Sequence, residues 1–257
     1  MDELAMGTSP AHALHPLTKL AATLAYIGVT ASFAPYDLPG LFPMILYPAF
    51  LFPFGGISLK TGLYKVRFVL LPVCAVGLFN PLLDTAPLLQ IGAVIVSGGV
   101  VSMLTLMLKG VLCLLASVWL AATTSIDRLC AALRAVHVPG LIVTLMLLTY
   151  RYVSVMLEEV SVMTTAYRLR APRQRGVRPA AWGSFLGQLL LRSLDRAEQL
   201  YDSMRLRGFD GQFWHAVSPR PAWRDAAFAA AAAVFLIGCR AFPVARWIGA
   251  WLTGGMT

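Results

Sequence analysis

Apolar residues occur along this chain in long runs separated by short polar, proline-rich or glycine-rich segments. About 20 apolar residues in a helix, at about 1.5 Å of rise per residue, cross the hydrocarbon core of a bilayer. The runs that predict such helices are 17–34, 41–54, 68–83, 100–124, and a broken run formed by 226–239 and 244–252. The pattern therefore predicts an all-α integral membrane protein with about five transmembrane helices.

Two of the apolar segments are interrupted. Segment 41–54 contains three prolines, which predict a kinked or partly re-entrant helix. Segment 87–99 contains three glycines, which weaken a helix, so we expect irregular or partly re-entrant structure there.

Segment 185–206 has a different pattern, with one apolar and one charged face. Its apolar residues recur at helical spacing: Leu186, Leu189, Leu190, Leu194, Ala197, Tyr201 and Met204. Gly208 follows as a natural helix stop. Segment 125–136 predicts a shorter amphipathic helix, with Ser125 as its N-cap.

The position of segment 139–170 follows from counting crossings. Basic segments next to membrane spans face the cytoplasm, so the predicted loop 55–67, with Lys60, Lys65 and Arg67, should lie on the same side as 165–224. An even number of crossings must separate them, although three candidate spans lie between them, at 68–83, 100–124 and 139–160. The weakest candidate is 139–160, because a charge near the bilayer centre costs about 3 kcal/mol and this segment carries charges. We interpret 139–170 as a long helix lying tilted or flat at the inner membrane face. The alternative is that 88–108 and 110–124 cross separately.

Composition supports the membrane assignment. Hydrophobic residues make up 58% of the chain and charged residues 13%, whereas a soluble domain carries about 25% charged residues. The net charge is +9, and eleven arginines but only four carboxylates lie within 165–224. Because cytoplasmic orientation explains this charge and no recognition motif accompanies it, we expect no nucleic-acid partner. The N-terminus lacks the pattern of a cleaved signal peptide.

Catalytic and metal-binding motifs are weak or missing. The sequence lacks a GxxxxGKS/T phosphate loop, an HExxH motif and a GxSxG motif. Glu158 and Glu159 are adjacent, so on a helix they point about 100° apart, and surface ion pairs are the simpler interpretation. His12 and His15 have no third ligand in view, and a solvated tail is the simpler interpretation there. The four isolated cysteines predict buried, reduced thiols. We expect no bound metal and no cofactor.

A doubled motif is the sharpest feature. Arg-Leu-Arg-Ala at 168–171 recurs as Arg-Leu-Arg-Gly at 205–208. A single arginine at a helix end is explained by the helix dipole, at about 0.3–1 kcal/mol. Two arginines in the same context suggest a repeated contact, since a guanidinium donates forked hydrogen bonds to carboxylates or carbonyls.

These residues lie within a wider resemblance. The chain resembles the transmembrane T component of energy-coupling factor transporters, and within it the CbiQ family of cobalt uptake systems. The stretches that carry the resemblance are HPLTKL (15–20), FNPLLD (79–84), TTSIDRLCAALRAVHVP (123–139), YRYVSVMLEE (150–159), AYRLRA (166–171) and LLLRSLDRAEQLYDSMRLRGFDG (189–211). The ending SMRLRGFDG is specific, whereas the apolar spans are not.

The resemblance implies two long cytoplasmic or interfacial coupling helices, each ending in an Ala-Arg-Gly-like triplet whose arginine docks on one ATPase subunit. The corresponding triplets are Leu169-Arg170-Ala171 and Leu206-Arg207-Gly208. Both depart from Ala-Arg-Gly, by a leucine at the first position and, in the first triplet, by alanine at the third. The apolar face of the second helix would contact the substrate-capture subunit: Leu186, Leu190, Leu194, Ala197, Tyr201 and Met204.

The implied organisation is an N-terminal membrane domain (1–124), a coupling-helix domain (125–221) and a C-terminal transmembrane helix (222–257). The implied protein is a non-catalytic, multi-pass subunit of a bacterial inner-membrane importer for cobalt. Its partners would be two CbiO-like ABC ATPases, a CbiM-like capture subunit, with or without a small CbiN-like subunit, and the lipid bilayer. A nickel or vitamin cargo is an alternative. An inner-face membrane enzyme using Arg151, Glu158 and Glu159 is another. A freestanding channel is disfavoured, because the spans offer almost no polar lining.

Overall fold

The computed structural model describes residues 7, 9–83, 87–91, 94–172, 176–211 and 222–241. Nine α-helices and one two-stranded hairpin are found in this described part of the chain. They are α1 (Pro16–Ala31), α2 (Leu38–Leu41), α3 (Leu46–Phe54), α4 (Leu59–Leu83), β1 (Pro87–Ile91), β2 (Val94–Ser97), α5 (Gly98–Thr123), α6 (Ile126–Ala135), α7 (Gly140–Arg170), α8 (Trp182–Leu206) and α9 (Trp223–Ala241). Short 3-10 turns occur at Pro10–Ala13, Phe42–Ile45 and Pro179–Ala181. The all-α prediction is confirmed.

Most predicted helices occur at the expected places. The runs at 17–34 and 100–124 become α1 and α5, and the long helix expected over 139–170 is α7. The proline-rich segment 41–54 is broken, as predicted, into a 3-10 turn at Phe42–Ile45 followed by α3. The second half of the predicted last span, 244–252, lies outside the described residues.

Two expectations about local structure were wrong. The basic segment 55–67 is not a loop throughout, because α4 begins at Leu59. Segment 87–99 is not irregular: β1 and β2 pair antiparallel, with a register irregularity between Pro87 and Leu89. Its β-branched residues at 94–96 favour a strand over a helix.

Two helices among the described residues, Gly98–Thr123 and Gly140–Arg170, are long and apolar enough to cross a membrane by length and composition. Shorter apolar helical stretches occur at Leu38–Phe54 and Val69–Pro81. Composition therefore permits a crossing by α7, where counting crossings predicted a helix lying at the inner face. The interfacial placement of α7 stays a prediction.

The chain divides into two compact units, residues 1–125 with 218–257, and residues 126–217. In the first unit α5 packs against α4 and α1, and α9 packs against α1. Trp119 and Tyr26 are fully buried at its centre, and the Tyr26 ring stacks on Tyr47 with centroids 4.2 Å apart. Gly110 permits the close approach of α5 to α4, because a Cβ there would lie 2.8 Å from a Val73 methyl group.

Prolines in the first unit leave backbone carbonyls without their helical donor, and side chains supply the missing hydrogen bonds. Pro48 cannot donate to the Met44 carbonyl four residues earlier, and the Tyr26 hydroxyl donates there at 2.9 Å. Pro35 likewise cannot donate to Ala31, near the end of α1. Lys109 of α5 fills this gap, since its Nζ lies 2.5 Å from the Phe33 carbonyl and 3.4 Å from that of Ala31.

A second lysine caps another helix end. Lys19 of α1 is fully buried, and its Nζ donates to the carbonyl of Thr123, the last residue of α5, at 2.8 Å. A cation at a helix C-terminus satisfies a free carbonyl and opposes the negative end of the dipole. Both lysines interrupt apolar helices because each one closes the end of a neighbouring helix.

In the second unit α6 packs against α7. The turn between them is a Schellman motif: the N–H of Val138 donates to Leu133 at 3.2 Å, and that of His137 to Arg134 at 3.0 Å. His137 occupies the left-handed position with φ 67°, where glycine is usual. Pro139 then precedes α7 as its N-cap.

Candidate functional site

The first Arg-Leu-Arg segment forms the last turn of α7, which ends at Arg170. Ala171 is the C-cap, with φ −131° and ψ 66°, and its N–H donates to the Tyr167 carbonyl at 3.0 Å. Pro172 follows, and a residue before proline is disfavoured in the helical region. Arg170 is exposed and Leu169 is 78% exposed. This first tip therefore presents a guanidinium and a bare leucine at a helix end.

The second Arg-Leu-Arg segment ends α8 by a different geometry. Arg207 is the C-cap residue, and Gly208 adopts the left-handed conformation with φ 80°. The N–H of Gly208 donates to Arg205 and the N–H of Phe209 to Met204, each at 3.0 Å. These two bonds form a Schellman motif. Leu206 is 89% exposed, so this second tip also presents an arginine beside a solvated leucine.

The different caps explain why the third residue of each triplet differs. A Cβ added at Gly208 would meet nothing within 4 Å, so the positive φ, not lack of space, favours glycine. Ala171 has a negative φ that any residue adopts. Alanine therefore fits position 171 without strain, at a helix end made by Pro172, whereas the end of α8 depends on glycine.

Weak polar contacts hold the loop that connects the end of α7 to the start of α8. The N–H of Arg178 lies 3.4 Å from the Tyr167 hydroxyl, and the Trp182 indole N–H donates to the Val177 carbonyl at 3.3 Å. Arg173 and Arg175 lie outside the described residues. These contacts link the last turn of α7 to the start of α8.

An ion pair joins the bodies of α7 and α8. The Arg192 guanidinium bonds the Glu159 carboxylate, with both side chains partly exposed. Such a pair contributes about 0–1 kcal/mol. Glu158 is exposed. With Glu159 held by an arginine, the adjacent carboxylates do not form an acid–base pair, and the surface ion-pair interpretation is confirmed for Glu159.

The predicted apolar face of α8 lies mostly in the open. Leu186, Leu190, Leu194 and Tyr201 are between 52% and 60% exposed. Ala197 is exposed as well, and Met204 is half-buried. The half-buried side chains lie one step around the helix, at Phe185, Leu189 and Leu200. The second unit therefore leaves this face of α8 free to contact something outside it.

The N-terminal histidines are not in a solvated tail, as the sequence had suggested. His12 and His15 are 6% and 9% exposed. The Nδ1 of His12 lies 2.6 Å from the Ser9 hydroxyl, and the Nδ1 of His15 accepts from the Leu17 N–H at 3.2 Å. His15 is thus the N-cap of α1. No group of three metal-ligating side chains occurs in the part of the chain that the structure describes.

Asp225 is the structural residue that sequence reasoning missed. It is 5% exposed, and its carboxylate accepts from the N–H of His15 and the N–H of Ala222, each at 2.7 Å. An acid in the first turn of a helix, just before an alanine-rich apolar run, was the available signal. The role of Lys19 was missed too, because a lysine near the start of the apolar run 17–34 is ordinarily interpreted as a charge at the membrane surface.

Cys130 of α6 is fully buried, which raises the pKa of its thiol, and the nearby Asp127 raises it further. The thiol stays protonated at neutral pH and is a poor ligand or nucleophile. The prediction of a buried, reduced cysteine is confirmed for Cys130, whereas Cys74, Cys113 and Cys239 are half-buried free thiols.

Comparison with known proteins places this arrangement in a family. The model of the family CbiQ, described as cobalt transport protein, matches residues 7–218. Cobalt transport protein CbiQ of Rhodobacter capsulatus is 40% identical over 106 residues, which cover 40% of this chain and 42% of that protein. Nickel permease LarQ of Lactiplantibacillus plantarum is 29% identical over 103 residues, 40% of this chain and 38% of the other.

These aligned segments span about two fifths of the length of each relative. The family model reaches much further, from the 3-10 turn at the N-terminus through both arginine-ended tips. The chain belongs to the CbiQ family of cobalt transport proteins.

Proposed function

We propose that this chain is the transmembrane coupling subunit of an energy-coupling factor importer for cobalt ions. It is a non-catalytic, multi-pass inner-membrane protein that works with two CbiO-like ATPases and a CbiM-like capture subunit, with or without a CbiN-like subunit. Membership of the family supports the transport class. The observation that carries the coupling role is the pair of exposed arginines at two helix ends, Arg170 and Arg207.

The contact chemistry follows from the two tips. Each tip presents the same two exposed side chains, an arginine and the leucine beside it. The leucine can enter an apolar groove while the guanidinium donates forked hydrogen bonds to carboxylates or carbonyls at its floor. Two such tips on one unit fit two copies of the same ATPase.

The coupling step is mechanical. ATP binding closes the two ATPases, and closure moves the helices that the arginines anchor. The mostly exposed apolar face of α8, from Leu186 to Met204, slides against the capture subunit and transmits the motion to it. An open apolar face on a helix whose opposite side is charged supports this role.

Charge reversal at the docking arginines tests this proposal. We expect Arg170→Glu/Arg207→Glu to lose both ATPase copies on affinity purification in mild detergent and to abolish radioactive cobalt uptake by cells. Arg168→Glu/Arg205→Glu is the matched control, with the same charge change in the same motifs, and we expect it to keep both. Normal cobalt accumulation and normal ATPase recovery in the first variant would contradict the proposal.

Nickel is the second candidate cargo, because part of the chain is similar to nickel permease LarQ. Competition of unlabelled nickel against labelled cobalt uptake separates the two. Tenfold excess nickel that leaves cobalt uptake unchanged would support cobalt. Uptake that nickel blocks more strongly than unlabelled cobalt would assign nickel instead.

A further inference from the structure

The second unit contains a polar cavity between α7 and α8 that the coupling role does not use. Its volume is about 380 Å³, and it is lined by Arg151, Tyr152 and Val155 of α7 and by Arg196, Gln199, Leu200 and Ser203 of α8. Two arginines from different helices thus line one cavity, and no carboxylate lines it. A site with this lining favours an anion.

The two arginines of this cavity differ in pairing from their neighbour Arg192. The structure shows no ion pair or side-chain hydrogen bond for the guanidinium of Arg151 or Arg196 within its described part. The contrast is Arg192, one turn before Arg196, which is paired with Glu159. A second cavity shares Arg196 and Gln199 with the first and is also lined by Glu159, Arg192 and Asp195. Together the two cavities are lined by three arginines and two carboxylates, so a net positive charge remains, and Arg151 lines only the first cavity.

The other donors of the cavity suit phosphate oxygens. The Tyr152 hydroxyl and the Gln199 amide add neutral donors to the two guanidinium forks. The Ser203 hydroxyl already donates to the Gln199 carbonyl at 2.7 Å, so it is not counted among them. Guanidinium groups bind phosphate bidentately, so two arginines that line one cavity suit a phosphate.

The same helix face continues from the cavity into an apolar surface. Leu141, Leu145 and Leu148 precede Tyr152 at i, i+4, i+7 and i+11, so they share its face of α7. Leu141 and Leu145 are 62% and 54% exposed. Arg151 is the first charged residue after this apolar run. Along one face, α7 therefore presents an exposed apolar strip followed by a cationic cavity, which is the order of acyl chain and phosphate in a phospholipid.

We infer that the cavity between α7 and α8 binds the phosphate of an anionic phospholipid, held by Arg151 and Arg196, with an acyl chain along Leu141, Leu145 and Leu148. The cytoplasmic leaflet supplies such lipids next to basic segments. The bound lipid ties the two arginine-ended helices together at the membrane face. This inference depends on the membrane location of the chain and not on the ATPase-docking proposal.

The test uses the purified full chain in a neutral detergent, titrated with phosphatidylglycerol and read by native mass spectrometry. We expect Arg151→Gln/Arg196→Gln to weaken binding by about tenfold or more, since two charge-assisted contacts are lost. Arg168→Gln/Arg205→Gln removes the same charge from the same two helices and should bind as the unaltered chain does. Arg151→Lys/Arg196→Lys keeps both charges but loses the forked donors, so it should weaken binding less than the glutamine variant does.

Two further measurements keep the test decisive. On the unaltered chain, a phosphatidylglycerol with a photoreactive headgroup should label peptides around 151–155 and 196–203. Labelling elsewhere only, or equal weakening by the two glutamine variants, would overturn the assignment. Millimolar inorganic phosphate should not displace the lipid, because it lacks the acyl chain. Full displacement would assign a free-phosphate site and reject the lipid.

Discussion

The backbone N–H of His15 donates a 2.7 Å hydrogen bond to the carboxylate of Asp225, across 210 residues of sequence. The same carboxylate accepts from Ala222, where α9 begins. One buried side chain thus joins the N-cap of the first long helix to the N-terminus of the last described one. Asp225, Lys19 and Lys109 share one role: each side chain hydrogen-bonds the backbone at the end of another helix of the first unit.

Removing this carboxylate should destabilise the membrane unit. In Asp225→Ala two buried N–H groups lose a charged acceptor, and we expect a loss of about 3 kcal/mol in unfolding free energy. The measurement is the thermal unfolding midpoint of the chain in detergent. Asp202→Ala, at an exposed site on α8, is the control and should change little. Equal midpoints for the two variants would contradict a structural role for Asp225.

Replacing Lys109 by methionine should also lower the unfolding midpoint. The variant keeps the apolar stem but removes the donor to the Phe33 carbonyl, at a cost of about 1–3 kcal/mol. Leu104→Met, an exposed position on the same helix, is the matched control. A higher midpoint for Lys109→Met would mean that desolvating the ammonium costs more than its hydrogen bonds contribute.

His137→Gly should stabilise the turn between α6 and α7. A residue other than glycine in the left-handed region costs about 1–2 kcal/mol, and the substitution removes this strain. Val136→Gly, one residue earlier at a position without positive φ, should instead destabilise the helix end. If both glycine variants lower the unfolding midpoint equally, the φ argument fails and the His137 side chain has a role of its own.

Gly208→Ala should weaken ATPase retention if the second tip docks as proposed. Alanine in the left-handed position costs about 1 kcal/mol, which corresponds to about fivefold weaker docking if the tip must keep its cap. Gly187→Ala, in the body of α8 with equally open space, should leave retention unchanged. Ala171→Gly should also have little effect, because that cap does not need glycine. Retention would be measured as the ATPase ratio after affinity purification, and a larger loss for Ala171→Gly than for Gly208→Ala would contradict the assignment of caps.

The helices could be predicted from the sequence because their signals are local. Apolar runs, amphipathic spacing and the helix stop at Gly208 depend on neighbours in the chain, and α1, α5, α7 and α8 appear near the predicted positions. The extension of α4 back to Leu59 was missed, because the charges at Lys60, Lys65 and Arg67 were interpreted as a loop. The hairpin was missed because glycines obscured a short β-branched strand.

The roles of buried polar residues could not be predicted, because they depend on partners far away in sequence. No residue near Lys19 in the sequence indicates that it donates to the Thr123 carbonyl. Likewise, no residue near Asp225 indicates that its carboxylate accepts from the His15 N–H. In the second unit, too, one site could be predicted from the sequence and another could not. The doubled Arg-Leu-Arg was visible in the sequence, whereas the lining of one cavity by both Arg151 and Arg196 was not.

The sequence by itself determined the membrane class, the helices and the two arginine-ended tips, since hydrophobicity, spacing and capping act within a few residues. Only the tertiary structure decided which carbonyls the lysines cap, which carboxylate closes the first unit, and which face of α8 stays open. Those outcomes depend on which distant groups come within hydrogen-bonding distance once the helices pack, because a buried polar group must find a partner wherever the fold supplies one.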